Sequence, residues 1–87
     1  MPVDVELFGI PRARAGVALT TATGDCLGDV LHDLAVQFPS LGETCIEGRQ
    51  LRAGYTANLS GQRFVTDPET PLAVDDTLLL LSLDAGG

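Results

Sequence analysis

Apolar and polar positions along the chain fall into short periods whose spacing changes from segment to segment. Val3-Asp4-Val5-Glu6-Leu7-Phe8 alternates apolar and acidic residues before both positions turn apolar, the period of two that marks a strand. Gly9 to Gly16 is punctuated by Gly and Pro and reads as a turn. Val17-Ala18-Leu19-Thr20-Thr21 is a second β-type run, so the two strands predict an N-terminal hairpin. The period then lengthens. Leu27, Val30, Leu31, Leu34, Ala35 and Phe38 recur at the spacing of one helical face, with Asp25 as the expected N-cap and Pro39 as the stop. Residues 40–53 are mixed and read as loop. Tyr55 to Leu59, the tight turn Ser60-Gly61 and Gln62 to Val65 predict a second hairpin. Asp67-Pro68, Thr70-Pro71 and Asp75-Asp76 interrupt regular structure. Thr77 to Leu83 is apolar on both faces, which suits a central strand covered on both sides.

The predicted order is β-β-α-β-β-β with the most apolar strand last. A last strand placed centrally beside the first makes a mixed sheet, and the single amphipathic helix must bury its stripe against one face of it. The expected fold class is therefore α+β, a β-grasp or ubiquitin-like arrangement, with a mixed sheet of four to five strands packed on one main helix. Residues 1–83 form the domain, and residues 84–87 are expected to be a flexible C-terminal tail.

Charge narrows the partners. The 87 residues carry five Lys+Arg, all of them Arg, against twelve Asp+Glu, for a net charge of −7. Nucleic-acid binding needs a basic face to neutralise phosphates, and an anionic membrane surface needs the same. Neither is offered. No apolar run approaches the roughly 20 residues that span a bilayer. Met1 to Glu6 lacks the basic-then-apolar pattern of a secretory signal, so a cytoplasmic location is expected. Cys26 and Cys45 are too few for a disulfide framework and read as free thiols. The chain alone is expected to be a monomer that meets its partners transiently.

The chemistry concentrates at the end. Asp84-Ala85-Gly86-Gly87 follows an apolar strand and finishes in two glycines. Without Cβ atoms this stretch has a thin cross-section. Fully extended, residues 84–87 span about 13 Å, enough to thread a narrow channel and deliver an α-carboxylate to another protein's active site. A carboxylate is a poor electrophile until activated, most simply as a mixed anhydride with AMP made from ATP. A sulfur nucleophile can then displace AMP and leave a thiocarboxylate.

Three stretches carry a family resemblance. Val5-Glu6-Leu7-Phe8-Gly9 with Arg12 and Arg14, Thr23-Gly24-Asp25-Cys26-Leu27-Gly28-Asp29-Val30-Leu31 through Phe38-Pro39-Ser40-Leu41, and Thr70-Pro71-Leu72-Ala73-Val74-Asp75-Asp76-Thr77-Leu78 with Ala85-Gly86-Gly87 occur in that order. The chain resembles the MoaD/ThiS ubiquitin-like sulfur carriers over nearly its whole length, the molybdopterin synthase small subunit among them. The resemblance implies that the Gly87 carboxylate is adenylated and thiocarboxylated while Ala85 and Gly86 thread into the partner. It implies no bound cofactor and no metal, with ATP and Mg used by a ubiquitin-activating-type adenylating enzyme. A sulfur donor enzyme and an acceptor biosynthetic enzyme, such as the molybdopterin synthase large subunit, would be the other partners. The sulfur would serve molybdopterin synthesis, or alternatively cysteine, thiamin thiazole or a thio-containing natural product. The chain departs from the family where Asp75-Asp76 replaces a frequent Gly-Asp and where Leu81-Ser82-Leu83-Asp84 lacks a frequent Pro. A reading from another class is a ubiquitin-like protein modifier, and a third is a plain interaction module. A free-standing enzyme is disfavoured by the lack of a visible catalytic constellation.

The remaining candidates read more simply. His32, the only His, falls on the solvent side of the helix, and with two cysteines it makes no zinc set. Cys26 lies at the helix N-terminus, where the dipole can lower a thiol pKa, but a plain partly buried thiol is the favoured reading. Asp25, Asp29 and Asp33 form an acidic stripe that reads as a solvated face, or as a steering patch for a basic partner. Asp67, Glu69, Asp75, Asp76 and Asp84 in the last 24 residues, with no base among them, point the same way. Asn58-Leu59-Ser60 matches a glycosylation sequon but has no signal peptide to give it meaning. The outward apolar face of Thr77 to Leu83 reads as core beneath a helix and loop, with partner surface as the alternative.

Overall fold

A computed structural model describes residues 2–83. Five strands form one sheet: β1 (Pro2–Leu7), β2 (Leu19–Thr23), β5 (Tyr55–Leu59), β6 (Arg63–Val65) and β7 (Thr77–Ser82), in the order β2-β1-β7-β5-β6. β1 and β7 run parallel, and every other pairing in the sheet is antiparallel. The most apolar strand is thus central and lies beside the first. The arrangement is the β-grasp, and its one long helix, α2 (Leu27–Gln37), packs on the inner face. Val3, Val5, Leu7, Ala57, Leu78 and Leu80 from the sheet are fully buried together with Leu27, Val30, Leu31 and Leu34 from α2. The period of two and the period of 3.6 meet in one core.

Ser60 and Gly61 both have positive φ, 55° and 74°, the backbone that matches a two-residue hairpin turn to strand twist. The Ser60 hydroxyl accepts a hydrogen bond from the Thr77 amide at 3.1 Å, tying the turn to β7.

Four expectations are corrected. Residues 9–15, expected as a turn, form a helix, α1 (Gly9–Ala15). Pro11 is its third residue, where no N–H donor is needed because first-turn amides have no intrahelical acceptor, so the ring is tolerated, and it is fully buried. Gly16, at φ 82°, closes the helix by donating its amide to the Arg12 carbonyl. The second strand accordingly starts and ends two residues later than its apolar run suggested.

Residues 40–53 are not simply loop. Pro39 ends α2 but also occupies the first position of α3 (Pro39–Cys45), a place where its fixed φ suits a helix start. A short hairpin, β3 (Ile46–Glu47) with β4 (Gln50–Leu51), follows. The two helices approach closely at Gly42, where a Cβ would lie 2.8 Å from that of Ala35. The sheet therefore carries three helices, although α2 remains the main one.

Asp25 is not the N-cap of α2. Cys26 holds that position and no side chain caps the helix. The first-turn amides are satisfied instead by a distant loop: Leu27 donates to the Thr70 carbonyl at 2.9 Å and Gly28 to the Pro68 carbonyl at 2.8 Å. The Asp25 carbonyl in turn accepts from Leu72 at 3.0 Å.

The last strand is covered on one side, not two. Leu78 and Leu80 face the core, whereas Leu79 and Leu81 point to the opposite face and stay half-buried. Both α2 and α1, whose first turn meets Ser82, lie on the inner side.

Candidate functional site

The chain leaves the sheet at the end of β7. The Ser82 hydroxyl accepts from the Ile10 amide at 3.4 Å, and the Leu83 amide donates to the Gly54 carbonyl at 2.7 Å. A Cβ on Gly9 would lie 3.2 Å from that hydroxyl. The root of the tail is thus held between the start of α1 and the 52–54 turn. Leu83, Ile10, Arg12 and Arg14 are exposed around it. The expected flexible tail, with Ala85, Gly86 and the reactive Gly87, lies outside the described residues.

A second polar centre was not foreseen. Arg49, in the turn between β3 and β4, reaches across to the N-terminus of α2. Its Nη2 donates to Asp29 Oδ1 at 3.1 Å and to Cys26 Sγ at 3.3 Å, and its Nη1 donates to Glu69 Oε2 at 3.0 Å. A Cβ on Gly28 would sit 2.9 Å from the guanidinium carbon and 3.0 Å from Pro68 Cβ, so only glycine leaves room for this crossing. Glu69 and then Asp29 hold the Arg49 guanidinium above its usual range. Arg49, and after it the Cys26 thiol, hold the Asp29 carboxyl below the usual carboxylate range. The arrangement ties two segments distant in sequence, the β3–β4 turn and the loop at Glu69, to one helix end. No periodicity marks a contact spanning 20 residues.

The acidic stripe is correspondingly not a plain solvated face. Asp29 is ion-paired, and Asp33 accepts from the Thr23 amide and from Gln37 Nε2, both at 2.9 Å. Asp25 alone of the three is simply exposed. His32 is exposed as expected, and among the described residues no cluster of metal-ligating side chains forms. Cys26 is a half-buried free thiol and Cys45 a buried one. Burial pushes the Cys45 thiol up from its ordinary value, partly offset by a hydrogen bond from Tyr55. No described helix is long and apolar enough to cross a membrane.

Among the described residues no helix packs on the outer face of the sheet. Strand register aligns Leu19, Glu6, Leu79, Asn58 and Phe64 in one row across all five strands. Thr21, Asp4 and Thr77 form the next row.

The structure is similar to several solved proteins. It superposes on small archaeal modifier protein 1 (SAMP1) from Haloferax volcanii with a TM-score of 0.81 at 21% identity, covering 100% of both chains. Against the Amycolatopsis orientalis BexX/CysO complex the TM-score is 0.80 at 20% identity, over 98% of this chain and 99% of the other. A Pyrococcus furiosus structure described as a putative molybdopterin converting factor, subunit 1, gives 0.75 at 18% identity, over 94% and 97%. No protein-family model and no curated protein matches the sequence. At these identities the likeness establishes the ubiquitin-like β-grasp fold.

Proposed function

We propose that the chain is a sulfur carrier whose Gly87 carboxylate is adenylated by an ATP-dependent activating enzyme, then converted to a thiocarboxylate that donates sulfur in a biosynthetic reaction. The observation that carries this reading is the Ala85-Gly86-Gly87 sequence directly beyond the central strand of a β-grasp domain. In the first step a carboxylate oxygen attacks the α-phosphorus of ATP and pyrophosphate leaves. In the second, a sulfide sulfur attacks the acyl carbon and AMP leaves. An acyl adenylate hydrolyses in water, so the partner must enclose it, and a side-chain-free tail fits such an enclosure. The ATP and Mg belong to that partner. Molybdopterin synthesis is the leading destination of the sulfur, supported by the likeness to the Pyrococcus furiosus structure. Cysteine, thiamin thiazole or a thio-containing natural product is the alternative destination in the same chemistry.

A modifier reading is favoured by one observation, the full-length likeness to small archaeal modifier protein 1. It uses the same activated terminus but transfers it to a lysine amine. The chain itself holds no Lys, so it cannot extend into polymers through its own side chains.

Intact-mass spectrometry after incubation with the organism's adenylating enzyme, ATP and sulfide separates these readings. A mass gain equal to the exchange of one oxygen for sulfur supports the carrier. An unchanged mass, with the enzyme shown active on ATP, contradicts it. Higher-mass conjugates in a lysate blot support the modifier.

A further inference from the structure

We propose that β2 is a strand edge on which a second copy of this chain can pair, and that Asp33 and Gln37 of α2 hold it shut. The guard is independent of what the tail carries.

The geometry of the sheet leaves this edge open. β2 ends the strand order on one side, with β1 as its neighbour. Leu7 donates its amide to the Ala18 carbonyl at 2.8 Å. Bonded pairs alternate along an antiparallel ladder, so residues 18, 20 and 22 turn their backbone groups toward β1 and residues 19, 21 and 23 turn theirs outward. Leu19, Thr21 and Thr23 are all exposed.

The sequence of β2 gives the edge no protection of its own. Residues 15–24 contain no charged residue and no Pro, and the chain has no Lys to place there. Thr20, Thr21 and Thr23 are β-branched and favour an extended strand. An uncharged run of this kind is a template for another strand. The opposite edge differs. β6 is only three residues long and begins with Arg63, and both brevity and charge discourage pairing.

Protection of β2 comes instead from the helix. Thr23 donates its amide to Asp33 Oδ2 at 2.9 Å, and Gln37 Nε2 donates to the Thr21 carbonyl at 2.9 Å. Gln37 Nε2 also donates to the same Asp33 oxygen at 2.9 Å, so the two side chains, one helical turn apart, brace each other. Among the described residues Asp33 pairs with no arginine; the ion pairs of Arg49 and Arg52 go to Asp29, Glu69 and Glu47. A strand carbonyl approaching the Thr23 amide therefore meets a carboxylate in its place.

The two groups so held are ones that a second copy would use. β2 can lie antiparallel to its counterpart with Thr21 opposite Thr21 and Leu19 opposite Thr23, the self-matching register of a twofold contact. Thr21 then exchanges amide and carbonyl bonds with its counterpart, and Thr23 exchanges them with Leu19. The first exchange needs the carbonyl that Gln37 occupies, and the second needs the amide that Asp33 occupies. A second copy also brings a strand already held straight by its own sheet, so little new order is required of it.

The test compares the full wild-type chain with Asp33→Ala/Gln37→Ala by sedimentation equilibrium and amide hydrogen exchange. Wild type should sediment as a single chain. The double variant should gain mass with concentration toward that of two chains, and its Thr21 amide should exchange about tenfold more slowly, or slower still, as it pairs. Asp33→Asn keeps an oxygen for the Thr23 amide and should stay single. Asp25→Asn removes the same charge without touching β2 and should also stay single. Thr21→Lys added to the double variant should return it to one chain, because two lysines would face each other at the centre of the pair. A folded double variant that stays single at every soluble concentration overturns the proposal. So does association that leaves the Thr21 amide unprotected, or a wild type that already pairs through Thr21. If circular dichroism shows the double variant unfolded, Gln37→Ala alone takes its place. It frees the Thr21 carbonyl from an exposed side chain, and a Thr21 amide that gains no protection with concentration then overturns the proposal.

Discussion

The two faces of the sheet are built from the same strands and do opposite work. On the inner face Val3, Val5, Leu7, Ala57, Leu78 and Leu80 are almost wholly removed from water against α2. On the outer face Glu6, Leu79, Asn58 and Phe64 alternate acid, apolar and amide. Because side chains alternate along a strand, each residue of β7 serves one role or the other. Burial, and with it stability, is concentrated on one side.

That division is breakable by substitution, and the inner face should show the largest effect. Leu80→Ala leaves a cavity against α2 and should lower the unfolding free energy by about 2–5 kcal/mol in urea titration. A loss no larger than that of an outer-face substitution would contradict the division. Asn58→Leu should act in the opposite direction, raising stability by about 1 kcal/mol, because it removes a buried acceptor that has no donor. An unchanged or lower stability would contradict that reading of Asn58. Phe64→Ser, on the exposed side of an edge strand, should change stability by no more than about 0.5 kcal/mol in the same titration.

The smallest effect concerns charges that are already paired. The folded-state pKa of Asp29 is depressed, mainly by its hydrogen bond with Arg49. The stability this contributes is present above the unfolded value of 3.8 and is lost as pH falls through the folded value. Asp29→Asn should therefore flatten the acid limb of the thermal-midpoint profile below that pH. The change should be slight, since both partners are about half exposed. An unchanged acid limb would remove Arg49 from the account of α2.

Much of the fold was legible in the sequence, and the failures have physical causes. The alternation of Val3 to Leu7 and the helical spacing of Leu27 to Leu34 are burial patterns, so they report the core directly. Pro11 misled because a proline in the first turn starts a helix; Pro39 ends α2 as its sequence position implies, and what the sequence did not show is that it also starts α3. The two-residue strands β3 and β4 are too short to show any period. Arg49 could not be placed because its contacts with Asp29 and Glu69 arise only after the chain has folded. Both faces of Thr77 to Leu83 are apolar, and sequence alone does not say which face a helix will cover. Of the candidate site, Ala85, Gly86 and Gly87 rest on their order alone and lie outside the described residues, whereas the contacts of Ser82 and Leu83 at the root of the tail needed the fold.

The most direct test of the central claim compares the chain with a variant bearing one serine appended after Gly87. The activating enzyme's ATP–pyrophosphate exchange is measured with each. The account predicts exchange that depends on the wild-type chain and is abolished by the added residue, because the reacting carboxylate has moved off the diglycine. Equal exchange with both chains, the appended serine being still in place by intact mass, would contradict it.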